Sequence, residues 1–113
     1  MQAKIHKNGD ITVVQLEGRI DFETTEPFRE TCQDVLVNNK VVFNLEALSF
    51  VGSSGIGAFI NTLREFSKNN PVPPKFCNVR SEFKKIFSAM DDQGFQIFED
   101  EKEALTSFNN PKI

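Results

Sequence analysis

The sequence contains no tryptophan and no tyrosine, and all 12 of its aromatic residues are phenylalanine. Phenylalanine has no polar group of the kind that favours Tyr and Trp at interfaces, so we expect these rings to form a core. Only two cysteines are present, Cys32 and Cys77. They are too few for a secreted disulfide scaffold and too far apart for a zinc or thioredoxin motif. We expect a reduced, cytoplasmic protein with buried apolar thiols, no metal site and no cofactor.

The sequence also lacks a long apolar run and a block of like charges. No stretch approaches the roughly 20 apolar residues of a membrane span, and we expect no signal core at the start of the chain. The 13 basic and 16 acidic residues are spread along the chain and give a net charge of -3. We therefore expect no general affinity for nucleic acid or membrane. The length predicts one soluble domain over residues 1–113.

Apolar periodicity predicts the alternation β-β-α-β-α-β-α-β-α, in which the first two strands form a hairpin. Asn8-Gly9 is the dipeptide that supplies the positive φ angles of a tight hairpin turn, after a short strand over residues 4–6. The next strand, residues 11–16, is apolar on both faces. The first helix follows, and Thr24 or Thr25 is its expected cap.

Residues 41–45 predict a second buried strand, followed by a loop through Leu48 and Phe50. The strongest amphipathic helix pattern comes next, with apolar side chains at Ile56, Phe59, Ile60, Leu63 and Phe66. The remaining segments predict strand, helix, strand and helix at residues 76–79, 83–90, 95–98 and 104–108. This order predicts an α/β domain with a mostly parallel sheet, an N-terminal hairpin strand and about four packed helices.

Two loops lie where predicted strands end and helices begin, which is where sites gather in such folds: residues 18–22 and 48–57. The second loop places Ser53 and Ser54 among three glycines at the start of the strongest helix. Free N–H groups and the positive end of the helix dipole favour an anion at that point, so a phosphate can be bound or attached there. The alternative is that Ser53 only caps the helix and the glycines allow its close approach to the sheet.

Three motifs of catalysis or nucleotide binding do not fit this loop. A Walker loop needs a lysine after its last glycine, but Ala58 follows Gly57. A nucleophile elbow centred on Ser54 needs a glycine where Ile56 stands, and His6 is the only histidine. The spacing of the glycines does not match the dinucleotide-binding pattern either. We therefore expect no enzyme and no catalytic residue, but a serine presented for modification.

The two loops carry motifs that occur together in a known family. Ser53-Ser54-Gly55-Ile56-Gly57, after a strand and an apolar loop, is similar to Asp-Ser-Ser-Gly-Leu-Gly. Gly18-Arg19-Ile20-Asp21, at the end of the preceding strand, is similar to Gly-x-hydrophobic-Asp. In this order and spacing they resemble the STAS domain of bacterial anti-sigma factor antagonists. The resemblance extends from residue 11 to Met90.

The resemblance implies a partner switch. Ser54 matches the position that is phosphorylated by a partner which is both anti-sigma factor and serine kinase, and Asp21 matches an acidic residue near it. Unmodified protein would bind the anti-sigma factor and free a sigma factor, phosphorylated protein would release it, and a serine phosphatase would reset the switch. The implied partner-binding residues are Asp21, Gly52, Ser53, Ser54, Gly55 and Ile56.

Gly52 departs from the family pattern, because the family usually has an aspartate at this position. The missing carboxylate beside Ser54 keeps open an alternative, a scaffold or subunit of a signalling assembly that is not phosphorylated. A small-ligand or nucleotide sensor, with its ligand at the same helix end, is a further alternative. From the residues alone, Asp21 is most simply a turn or helix-capping residue.

Overall fold

The computed structural model of the chain describes residues 1–50, 55–90 and 96–109. Its elements follow the predicted alternation of strands and helices, which is thereby confirmed. They are β1 (Gln2–Asn8), β2 (Ile11–Ile20), α1 (Phe22–Thr31), β3 (Lys40–Phe50), α2 (Ile56–Asn69), β4 (Lys75–Cys77), α3 (Ser81–Met90), β5 (Gln96–Phe98) and α4 (Glu101–Asn109). A π-helical segment, Cys32–Leu36, continues α1.

The sheet has the strand order β1-β2-β3-β4-β5. β1 is antiparallel to β2, whereas the pairs β2–β3, β3–β4 and β4–β5 are parallel. This arrangement confirms the predicted α/β fold, with a mostly parallel sheet and a hairpin strand at its edge. In a parallel sheet the carboxyl ends of the strands lie at one edge, and that edge is where the two candidate loops begin.

The hairpin between β1 and β2 differs in detail from its prediction. Asn8 pairs with Ile11 and is the last residue of β1, so the two loop residues are Gly9 and Asp10. Gly9 has a φ of 67°, and among the described non-glycine residues only Asn38 and Asn78 have a positive φ. The prediction that Asn8-Gly9 supplies two positive φ angles was therefore wrong. Glycine occupies the first loop position, and it is the residue of this turn that has a positive φ.

Both faces of β2 are buried, as the sequence predicts. Ile11 and Val13 pack on the α4 side with Ala104, whereas Val14 and Leu16 belong to the larger core on the opposite face. Helices therefore cover both faces of this strand.

Phenylalanine rings fill the larger core. Phe43 of β3 is fully buried, and its ring centroid lies 6.0 Å from that of Phe28, 6.1 Å from that of Phe66 and 5.5 Å from that of Phe76. Such edge-to-face pairs add to the energy of apolar burial. The ring of Phe43 thereby joins α1, α2 and β4 to the middle of the sheet.

The carboxyl half of β3 is strand where the sequence predicts a loop. Gly18 pairs with Leu48 and Ile20 with Phe50, but a register shift separates these pairs from the pairing of Gln15 with Asn44. The shift places one additional residue on β3, so that Leu45 and Leu48 are both fully buried although they are three positions apart. A β-bulge of this kind interrupts the period-two alternation by which a strand is recognised.

The two cysteines behave as predicted. Both thiols are free and buried, and burial raises the pKa of Cys32 and the pKa of Cys77 to about 12 each. At neutral pH they are therefore protonated, apolar side chains.

We expect Phe43→Ala to lower the free energy of unfolding by about 3–5 kcal/mol, because it removes the ring that three elements share. Urea unfolding followed by circular dichroism measures this change. Val35, whose side chain is 55% exposed, provides the control: Val35→Ala should change the free energy of unfolding by no more than about 0.5 kcal/mol. Equal effects of the two substitutions would contradict this account of the core.

Candidate functional site

The two candidate loops leave the same edge of the sheet. Ile20, the last residue of β2, pairs with Phe50, the last residue of β3. Asp21 follows directly after Ile20, and Gly55 stands four residues after the start of the connection from β3 to α2. Gly52, Ser53 and Ser54 lie in that connection, outside the described residues.

The structure shows why the Gly-x-hydrophobic-Asp motif has glycine at position 18 and an apolar residue at position 20. Gly18 has a φ of 91°, which a residue with a Cβ adopts only with strain, and a Cβ built there would stand 3.5 Å from the Cα of Met1. The Ser49 hydroxyl donates a hydrogen bond to the Gly18 carbonyl at 3.4 Å. Ile20 is 2% exposed and anchors the strand end in the core. The motif therefore holds the end of β2 in a defined position before Asp21.

Asp21 is the N-cap residue of α1. Its Oδ1 accepts hydrogen bonds from the main-chain N–H and from the hydroxyl of Thr24, both at 2.9 Å. The Thr25 hydroxyl donates to the Asp21 carbonyl oxygen at 2.9 Å. The prediction that Thr24 or Thr25 caps the helix was wrong: the helix begins at Phe22, and both threonines lie in its first turn.

The Asp21 side chain is an exposed negative charge. Hydrogen bonds from the Thr24 amide and then the Thr24 hydroxyl are the main causes that hold its pKa below the usual range. The carboxylate is thus ionised at neutral pH and lies at the carboxyl end of β2. A protein that contacts this edge of the sheet meets that charge.

The helix α2 begins with a glycine in a left-handed conformation. Gly55, at φ 81° and ψ -16°, is the N-cap residue, and its carbonyl accepts the first helical hydrogen bond from the Phe59 N–H at 2.9 Å. Gly55 thus occupies the N-cap position that the alternative interpretation gives to Ser53. The first N–H groups of a helix have no intrahelical acceptor and carry the positive end of its dipole, so this end can receive an anion.

Ile56 holds the start of α2 on the core. Its side chain is 9% exposed and packs among the larger cluster of buried residues. Gly57 and Ala58, in contrast, are exposed. Of the implied partner-binding residues that the structure describes, Asp21 therefore has an exposed side chain, Gly55 is half-buried, and the side chain of Ile56 is buried as an anchor.

The interpretation of Asp21, from the residues alone, as a turn or helix-capping residue is confirmed, although the threonines were also expected to cap the helix. Aspartate ranks above threonine at the N-cap, and Asp21 stands three residues before Thr24, whose N–H it binds. The paired strand ends at Ile20 and Phe50 had no such signal, because their register depends on the bulge in β3.

The described residues contain no group of three or more His, Cys, Asp or Glu side chains placed to hold a metal ion. Among the helices that the structure describes, none has both the length and the apolar character needed to cross a membrane.

The family model of the STAS domain matches residues 2–104. The chain therefore belongs to the STAS domain family.

Solved structures share this fold. SpoIIAA in its phosphorylated form, described as a Bacillus cell fate determinant, is 22% identical with a TM-score of 0.68, covering 95% of this chain and 99% of its own. The anti-sigma factor antagonist SpoIIAA in its unphosphorylated form is 20% identical with a TM-score of 0.66, covering 99% and 100%. A chain of the stressosome, described as a signal integration and transduction hub, is 17% identical with a TM-score of 0.73, covering 97% and 100%. These likenesses establish the fold.

We expect the Asp21 carboxylate to stabilise the protein in a pH-dependent way. Its pKa in the folded state lies below that of an unfolded chain, about 3.9, so its contribution is complete above that value and is lost as the pH falls through the folded pKa. Urea midpoints from pH 7 down to pH 3 should show wild type above Asp21→Asn at pH 7, with the gap closing in acid. Asp21→Ala should lie below Asp21→Asn at pH 7, because asparagine keeps an acceptor for the Thr24 N–H. A gap between wild type and Asp21→Asn that is independent of pH would contradict this assignment.

The two glycines at the start of α2 should respond to alanine in opposite directions. Gly55→Ala places a Cβ on a left-handed residue and should lower the free energy of unfolding by about 1–2 kcal/mol. Gly57→Ala is the matched control, since a Cβ there meets nothing within 4 Å, and it should raise the free energy of unfolding by about 0.5–1 kcal/mol. Thermal or urea unfolding measures both, and the same sign for the two variants would refute the described start of α2.

Proposed function

We propose that this protein is an anti-sigma factor antagonist that works by partner switching. In its unmodified form it binds an anti-sigma factor that is also a serine kinase, and phosphorylation of Ser54 releases that partner. The observation that carries the proposal is the pairing of Ile20 with Phe50. The pairing supports the proposal because Asp21 directly follows Ile20, and the connection that contains Ser54 directly follows Phe50.

Charge is the physical basis of the switch. The kinase would transfer the terminal phosphoryl group of ATP to the Ser54 oxygen, with ADP as the leaving group and the hydroxyl proton taken up by a base of the kinase. The product carries about -1.5 to -2 charge and three strong acceptors, so the net charge of the chain moves from -3 to about -5. The α2 dipole favours such an anion by roughly 0.3–1 kcal/mol, so the fold itself need not change.

The effect of the phosphate would fall on the partner. A surface that packs against a neutral hydroxyl and an ionised Asp21 would then meet a second, larger negative group. Burying an unpaired charge costs several kcal/mol, and each 1.4 kcal/mol is about tenfold in affinity. A loss of affinity of about a hundredfold or more follows, which is enough for release.

The solved structures of a similar protein support the proposed alternation between two forms. SpoIIAA is described as an anti-sigma factor antagonist and has been solved in an unphosphorylated and in a phosphorylated form. We propose that this chain likewise alternates between two such forms, and that a serine phosphatase returns it to the first. In this role the protein is a substrate and a ligand of other proteins and has no catalysis of its own, and it acts in the cytoplasm on the transcription machinery.

A second candidate function is a scaffold subunit of a signalling assembly that is not phosphorylated at Ser54. Gly52 favours it, because this position lacks the carboxylate of the family motif. The similarity to a stressosome chain points in the same direction. A scaffold would keep its partner in the presence of ATP, whereas a switch would release it.

Phosphorylation can be tested directly with purified serine kinases of the anti-sigma factor type from the source organism, each incubated singly with the protein and labelled ATP. One of them should transfer phosphate to Ser54, as located by mass spectrometry. Ser54→Ala should abolish the transfer, and Ser53→Ala should retain it. Phosphate only at another residue, or none with any kinase, would exclude the switch and favour the scaffold.

Affinity for that kinase should depend on the charge at residue 54. We expect Ser54→Asp to weaken binding by about a hundredfold and Ser54→Ala to leave it within a few fold, as measured by calorimetry or surface plasmon resonance. Ser81→Asp is a matched control, because Ser81 is exposed at the start of another helix, α3. Equal binding by Ser54→Asp and wild type would overturn the release step.

A further inference from the structure

A cleft of about 230 Å³ separates the edge strand β1 from α1. Its walls include Ala3 on the strand and Pro27 on the helix, both exposed. Leu16 and Phe28 close its floor and are 1% and 5% exposed. The cleft is thus an open, mainly apolar depression with room for one large side chain, since a cavity of about 150 Å³ already accepts benzene.

The small side chain of Ala3 accounts for this space. Ala3 pairs with Leu16 and Ile5 pairs with Val14, so both strand residues face the side of the sheet on which α1 lies. The methyl group of Ala3 leaves a gap beside α1, and Ile5, two residues further, is 42% exposed. Ile5 thus extends the apolar surface beside the gap.

Exposed carboxylates flank the helix side of the cleft, whereas the Met1 ammonium group at its strand end donates a hydrogen bond to the Arg19 carbonyl at 3.1 Å. Residues 21–36 contain five carboxylates and a single basic residue, Arg29, whereas the whole chain carries a net charge of only -3. Arg29 is paired with Glu26 at 3.5 Å and with Glu65 at 3.7 Å. Glu23 and Glu30 are exposed and lie one helical turn on either side of Pro27. A segment that enters the cleft is therefore favoured if its own charges are positive.

The cleft is continuous with the candidate switch site. Thr24 lines the cleft, and the same residue donates its N–H and its hydroxyl to Asp21. A protein that contacts Asp21 thus reaches the cleft within the first turn of α1.

We propose that the cleft receives one large apolar side chain of the anti-sigma factor, on a segment where lysine or arginine flanks that side chain. This inference rests on the proposed function and assigns separate roles to Ser54 and to the cleft. The charge on Ser54 determines when the partner is released, and the cleft with its acidic rim selects which partner is bound. Phosphorylation leaves the cleft unchanged.

A second copy of this chain fits the cleft less well. Pairing of β1 with itself would bring together two strands that each carry Lys4 and Lys7, and lysines on an edge strand oppose such pairing. The lysines of β1 therefore oppose self-association of the chain through this strand edge.

The test fills the cleft. Ala3→Leu should weaken binding to the kinase that phosphorylates Ser54 by about tenfold or more, because it occupies the space of the incoming side chain. Ala47→Leu is the matched control, since Ala47 is also an exposed alanine in a strand but pairs with Glu17 on the opposite face of the sheet. It should bind within twofold of wild type.

A second pair of variants tests the charge at the rim of the cleft. Glu30→Gln should slow association with the kinase relative to Glu82→Gln on α3, and added salt should remove the difference.

A measurement without substitution keeps the test independent of folding. In protein labelled at its alanine methyl groups, the NMR signal of Ala3 should shift when the unlabelled kinase is added, and the signal of Ala47 should not. Normal binding by Ala3→Leu together with an unshifted Ala3 signal would overturn the cleft proposal while leaving the Ser54 switch in place. A free protein that is dimeric, and that Ala3→Leu makes monomeric, would also overturn it. If no kinase acts on Ser54, both proposals fail together.

Discussion

The parallel pairing of β2 with β3 is the constraint on which the rest of this molecule depends. The two central strands are joined from Ile11 and Lys40 at one edge to Ile20 and Phe50 at the other. A bulge in β3 lets the pairing continue to that second edge. Both strands therefore end side by side, one directly before Asp21 and the other directly before the connection to α2.

The aromatic core holds that frame in place. Phe43 in the middle of β3 contacts rings from α1, α2 and β4, so the two helices that begin near the site are fixed to one strand. Ile56 adds an anchor at the first residue of α2. Such a support suits the proposed phosphorylation switch, because the added charge would then act on the partner and need not be absorbed by a change of fold.

The surface around the site divides into parts with different physical character. The exposed Asp21 carboxylate and the N-terminus of α2 carry opposite electrostatic signs, since a helix N-terminus attracts the negative charge that a carboxylate repels. The cleft along α1 adds apolar surface with an acidic rim. Charge, in such an arrangement, sets the rate and selectivity of encounter, and apolar contact supplies most of the affinity.

The sequence by itself determined the order of strands and helices, the buried faces of β2 and α2, and both motifs of the family. These signals are local, since the period of an amphipathic element lies within a single stretch of chain. The tertiary structure alone decided that β3 continues to Phe50 and that Ala3 leaves a cleft beside Pro27. Each of these depends on a neighbouring element: a bulge is defined only against its partner strand, and a gap only by the two surfaces that border it.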